Sequence, residues 1–204
     1  QQFATDYGWT GLMAKEHQDY FHLNVTNIGG GKTDEVISQK INYRLEIQKD
    51  ATTIVKVLIE RSHNGSGRNY FTGVKNNSYL RFYVPLGSKF ISAVGFEPLP
   101  DSVFKNYDKD AEFLLNTEAE RSAIVDEASK TLIYDESGKT VFANWQSLNP
   151  GDTEEILLVY QLPFTIKPIA SSKGLIGNLA DIFDKRKVIY SLTYQKQSGR
   201  SADD

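Results

Sequence analysis

The chain has no cysteine and a single methionine in 204 residues. Disulfides, thiolate metal sites and a cysteine nucleophile are thereby excluded together. It also lacks any run of about 18 apolar residues, the least that spans a bilayer as a helix. The first residues, QQFATDYGW, do not place an apolar stretch behind a basic one, as an export signal would. Any signal or membrane anchor of the parent protein is therefore expected outside this chain. Surplus positive charge is missing too: 23 Lys and Arg stand against 26 Asp and Glu, for a net charge of -3. The cations alternate with acids instead of clustering, so nucleic acid is not an expected partner.

What is present favours strands. Eleven Tyr, eleven Phe and two Trp suit a pleated, half-buried surface. The segment DYFHLNVTN from Asp19 sets Tyr20, His22 and Asn24 on one face and Phe21, Leu23 and Val25 on the other, the period of a strand. EVISQKINYRLEIQ and TTIVKVLIERS, joined at Lys49-Asp50, predict a long hairpin. SYLRFYVP, which stops at Pro85, and KFISAVGFEP follow across the turn Leu86-Gly87-Ser88. The turns Glu136-Ser137-Gly138-Lys139 and Asn149-Pro150-Gly151-Asp152 bound three further strands between Lys130 and Phe164. Leu175, Ile176, Leu179, Ile182 and Phe183 fall at helical spacing, and VIYSLTYQKQSG supplies a last strand.

These elements predict an all-β, immunoglobulin-like antiparallel sandwich of 7–9 strands with a short helical insertion before the last strand. Residues 1–18 read as a lead-in from an upstream region, 19–199 as the sandwich and 200–204 as a polar tail. An irregular acidic excursion at about 101–129, where the alternation fails, has room for a short helix or an extra hairpin.

Catalytic motifs are scarce. Gly29-Gly30-Gly31-Lys32-Thr33 imitates the end of a phosphate-binding loop, but Thr26 stands where its first glycine belongs and a strand, not a helix, follows. His17, His22 and His63 share no metal-ligand spacing, and His22 reads as a structural residue within its strand. Asn106, Asp108, Asp110 and Glu112 alternate oxygen ligands without the glycine and distal acid of an EF-hand. Asp108 and Asp110 remain as calcium candidates beside the plainer reading of a solvated acidic loop. No serine-nucleophile signature occurs in a workable context. An intramolecular isopeptide would need a lysine, an asparagine and a buried acid on adjacent strands, for which Lys56, Asn144 and Glu60 are the trio to inspect. Exposed rings can stack on sugars, and Tyr79, Phe82, Tyr83 and Trp145 are the aromatics to inspect for that role. No catalytic residue and no cofactor is expected.

The ordered motifs resemble the C-terminal region of bacterial proteins grouped as domain of unknown function family 4012. The residues that carry the resemblance are Gly8, Trp9 and Gly11 of the lead-in, DYFHLNVTNIGGGKTD from Asp19 to Asp34, and LRFYVPLGS from Leu80 to Ser88. GKTVFANW, LNPGDTEEILLVYQLPF and YSLTYQKQSG extend it over most of the chain. The resemblance implies a non-catalytic accessory or interaction domain at the bacterial cell surface, held to the membrane only through an anchor outside this chain. Its implied partner is the upstream domain of the same protein or another envelope protein. The alternative is a carbohydrate-binding module for envelope or extracellular glycans.

Overall fold

A computed structural model describes residues 3, 12–14, 18–28, 31–99, 118–166 and 189–197. Its elements run β1 (Asp19–Asn27), a 3-10 turn (Thr33–Val36), β2 (Ile37–Ile47), β3 (Thr53–His63), β4 (Asn76–Pro85) and β5 (Lys89–Val94). A short helix, α1 (Glu118–Arg121), precedes β6 (Ile124–Val125), β7 (Leu132–Glu136), β8 (Lys139–Leu148), β9 (Thr153–Gln161) and β10 (Leu192–Gln195). The strands form two sheets, β10-β1-β4-β8-β7-β6 and β2-β3-β9-β5.

The protein is thus an all-β sandwich, with ten strands among the described residues where seven to nine were expected. Nearly all pairs are antiparallel, but β10 adds to β1 in parallel, Asp19 opposite Leu192 and His22 opposite Gln195. The excursion before β7 holds both a short helix and a small hairpin, since Ile124 and Val125 pair with Ile133 and Leu132. The expected helix before the last strand and most of the acidic excursion lie outside the described residues.

Alternation explains the packing. On β3, Val55, Val57 and Ile59 all point inward and are fully buried. They meet Phe21, Leu23 and Val25 of β1, Leu80, Phe82 and Val84 of β4, and Phe142 of β8 in one core between the sheets. Burying each such side chain contributes about 1.5–3 kcal/mol relative to leaving it in water. Toward one end the inner layer turns polar. There the buried Arg61 donates to the Gln146 amide oxygen (2.7 Å), and Ser78 donates to Asn76 (2.6 Å).

The turns have local causes. Ser137 and Gly138 both take positive φ (53° and 71°) between the paired Glu136 and Lys139, the geometry of a two-residue hairpin matched to strand twist. Gly95 ends β5 at φ 87°, and a Cβ there would lie 1.9 Å from the Glu155 carbonyl oxygen, so only glycine fits.

Candidate functional site

Among the described residues, the outer face of the six-stranded sheet carries a second buried cluster beside the inter-sheet core. The second parity of β1, β4, β7 and β8 brings Tyr20, Tyr83, Tyr134, Val141 and Ala143 into a buried cluster of their own. Register sets the rows: His22 lies opposite Tyr83 and Tyr83 opposite Val141, while Asn24 faces Arg81 and Tyr79 faces Trp145. Strands β4 and β8 are consequently apolar or buried on both faces.

This outer cluster is covered by chain, not by a third sheet. Met13 and Ala14 pack on it from the lead-in, and Ala119 and Ala123 pack on it from α1 and the residues after it. Gln195 fastens the lead-in. Its Oε1 accepts from the Ala14 N–H (2.7 Å) and the Tyr20 hydroxyl (2.6 Å), and its Nε2 donates to the Leu12 carbonyl (3.0 Å). Tyr20 also lies under the Lys139 ammonium, 4.6 Å from its ring centre, a cation–π contact. On the α1 side, the hydroxyls of Tyr134 (3.0 Å) and Tyr79 (3.3 Å) both donate to one oxygen of Glu120. Tyr83 donates to Glu136 (2.7 Å). Burial pushes the pKa of Tyr79, Tyr83 and Tyr134 up, and the Glu120 charge raises it further. All three phenols are neutral hydrogen-bond donors at physiological pH.

His22 is buried, with Nδ1 2.7 Å from the Gln195 backbone carbonyl oxygen. That oxygen can only accept, so the imidazole is the Nδ1–H tautomer. Burial is the main cause lowering its pKa, with the nearby Arg81 charge adding to it. A second side-chain amide completes this edge: Gln197 accepts from the Val25 N–H (2.9 Å) and donates to the Val25 carbonyl (3.1 Å), continuing the β1 ladder past the end of β10.

At the start of β1, the fully buried Asp19 accepts from the Tyr20 N–H (2.7 Å), the Tyr43 hydroxyl (2.6 Å) and the Tyr190 hydroxyl. Tyr160 donates onward to Tyr43 (3.3 Å). Desolvation raises the Asp19 pKa against these hydrogen bonds, which favour the carboxylate. The same burial raises Tyr43, Tyr160 and Tyr190. The cluster ties β1 and the start of the last strand segment to β2 and β9 of the opposite sheet. Every acceptor position named there is taken by an internal donor, so its chemistry is that of a structural clasp.

The sequence-predicted residues divide. Tyr79 and Trp145 come together on the outer face, half-buried, with ring centres 4.6 Å apart and planes tilted by 39°. Tyr83 is buried on the same face at 4% exposure, and Phe82 is in the inter-sheet core. Neither therefore offers an open ring face to a ligand. Asp108 and Asp110 lie outside the described residues. Among the described residues no three His, Asp or Glu side chains converge as metal ligands. The isopeptide trio does not meet. Lys56 pairs with Glu46 (2.9 Å) within the four-stranded sheet, whereas Asn144 donates to the Ser129 carbonyl (2.8 Å) in the other sheet. Lys32 and Thr33 lead into the 3-10 turn and then β2, not into a long helix.

Sequence reasoning missed Gln195, Asp19, Tyr43 and Tyr190 as organisers. Only the spacing of Gln195 and Gln197 at the end of an alternating strand hinted at a role for them. No helix among the described residues is long and apolar enough to cross a membrane. The fold defines the class as an all-β sandwich. The chain matches no family model, no curated protein sequence and no solved structure.

Proposed function

We propose that this chain is a non-catalytic interaction domain of a bacterial cell-envelope protein, and that the outer face of its six-stranded sheet is the contact surface. The observation that carries this reading is the Gln195 clasp, which holds Leu12 and Ala14 through two hydrogen bonds while a third ties it to Tyr20 on that face. A sheet face that already receives a segment of its own chain is shaped to receive chain, and the half-buried Tyr79 and Trp145 rings on it supply contact area at low entropic cost. The resemblance to domain of unknown function family 4012 agrees with this and adds the cell-surface setting, with the upstream part of the same protein as the first partner to consider.

The carbohydrate-binding alternative rests on Tyr79 and Trp145 alone, and a tilted, half-buried pair is a poor platform for a flat sugar face. The test is direct. Purified chain is offered envelope glycans, and both retention and release of products are measured. The proposal predicts neither. Turnover of any glycan contradicts it, and retention lost on Trp145→Ala transfers the site to the carbohydrate-binding reading.

A further inference from the structure

Among the described residues, two well-exposed aromatic side chains stand side by side on a loop outside the strands. Tyr70 is 85% exposed and Phe71 61%, with Val74 beside them at 43%. They sit on the connection between β3 and β4, at the polar end of the sandwich, with the two rings edge to face at 5.1 Å.

This tip is built, not frayed. The Asn69 side chain accepts from the N–H groups of Phe71 (2.9 Å) and Thr72 (3.1 Å), and Gly73 N–H donates to the Asn69 carbonyl (2.8 Å). Lys32 N–H bonds the Phe71 carbonyl (3.0 Å), and the buried His63 bonds the Val74 carbonyl through Nε2 (2.9 Å). A Cβ at Gly73 would come within 2.1 Å of the Ser66 carbonyl oxygen, so the loop closes too tightly for any other residue. The backbone is satisfied from inside, and the apolar side chains are held in water.

Charge says what they face. The chain as a whole is acidic, at -3, yet residues 64–75 contain Arg68 and Lys75 and no acid. Lys32 joins them across the tip, and among the described residues none of these three cations has an ion-pair partner. The neighbouring acids are Asp34, whose carboxylate accepts from the Asn76 amide (3.1 Å), Asp152, whose carboxylate accepts from the Asn149 amide (2.8 Å), and Glu35, and all three lie outside residues 64–75. Aromatic side chains at the level of headgroups, with cations at their flanks, are how proteins seat on membrane interfaces.

We propose that the 64–75 tip seats on an anionic lipid surface, Tyr70 and Phe71 entering the headgroup layer and Arg68, Lys75 and Lys32 meeting lipid phosphates. This surface is separate from the outer tyrosine face, and the inference does not depend on the function proposed for that face.

The test is co-sedimentation of the 204-residue chain with vesicles of phosphatidylcholine alone or mixed with phosphatidylglycerol. Three proteins are compared: the parent chain, a Tyr70→Ser and Phe71→Ser double variant, and an Arg68→Gln and Lys75→Gln double variant. All four side chains are exposed, so thermal unfolding is expected to coincide and serves as the fold control. The expected result is binding to the anionic vesicles above the neutral ones. The aromatic variant loses that binding, and the cation variant loses roughly fivefold for each charge removed. Absence of binding to anionic vesicles overturns the proposal, as does binding unchanged in the aromatic variant. Self-association that vanishes in the aromatic variant overturns it too, by assigning the tip to a second copy of the chain.

Discussion

Gln195 and Tyr20 are joined by a 2.6 Å hydrogen bond across the parallel pair of β10 and β1, and the same amide oxygen holds the Ala14 N–H at 2.7 Å. One glutamine thus couples the last described strand, the first strand and the segment before it. Removing the amide in Gln195→Leu takes the shortest hydrogen bond from the buried Tyr20 hydroxyl, which retains Met13 Sδ at 3.2 Å, and one hydrogen bond each from the Ala14 N–H and the Leu12 carbonyl. The expected cost is about 1–3 kcal/mol, together with faster proteolytic cleavage at residues 12–14. Denaturant unfolding and timed digestion measure both.

Asp19 is the only carboxylate facing the hydroxyls of Tyr43 and Tyr190 in the described structure. Asp19→Ala orphans those two donors and the Tyr20 N–H, with an expected loss of about 2–4 kcal/mol. Asp19→Asn keeps one acceptor and is expected to lose less. A larger loss in the asparagine variant would contradict the clasp.

The pH dependence has two opposed parts. His22 has its pKa lowered by burial from the ordinary 6.5, so its contribution is present above that value and is lost as pH falls from there toward the lower folded pKa. Asp19 has its pKa raised from the ordinary 3.8, so its contribution is complete below that value and is lost as pH rises through the raised folded pKa. His22→Gln retains a donor for the Gln195 carbonyl and cannot titrate. Its melting temperature is expected to fall less than that of the parent chain as pH drops below about 6.5. Parallel curves would remove His22 from the account.

Ala51 occupies the turn between β2 and β3 with φ 67°, a left-handed conformation that a Cβ opposes. Ala51→Gly is expected to raise stability by about 0.5–1 kcal/mol, read as a higher urea midpoint at unchanged slope.

The two faces of the six-stranded sheet differ in what they support. Phe82 fills the core between the sheets, and Phe82→Ala is expected to cost about 3–5 kcal/mol. Tyr79→Phe removes only a 3.3 Å bond to Glu120 at a half-buried ring and is expected to cost about 1 kcal/mol or less.

Much of the sandwich was legible because one face of each strand repeats every second residue. Phe21, Leu23 and Val25 separated from Tyr20, His22 and Asn24 on that ground, and the Ser137-Gly138 turn declared itself by residue type. The outer face was legible only in part: His22 reads as a structural residue of its strand and is buried, but nothing local shows what covers Tyr20. The apolar Met13 of the lead-in was open to packing on the body and does so, but nothing in the periodicity of β1 shows that Gln195 returns from 175 positions away to meet Tyr20. The Asp19 clasp was hidden for the same reason: Tyr43 and Tyr190 lie 24 and 171 positions from it. The parallel addition of β10 was also hidden, because alternation carries no information about strand direction.

The measurement that tests the central claim most directly is photo-crosslinking in cells that make the protein. The reactive side chain is placed at Trp145 on the outer face of the six-stranded sheet, with Leu58 on the outside of the four-stranded sheet as the control. The account predicts a protein adduct from position 145 and none from position 58. Equal adducts from both positions, or none from position 145, would contradict it.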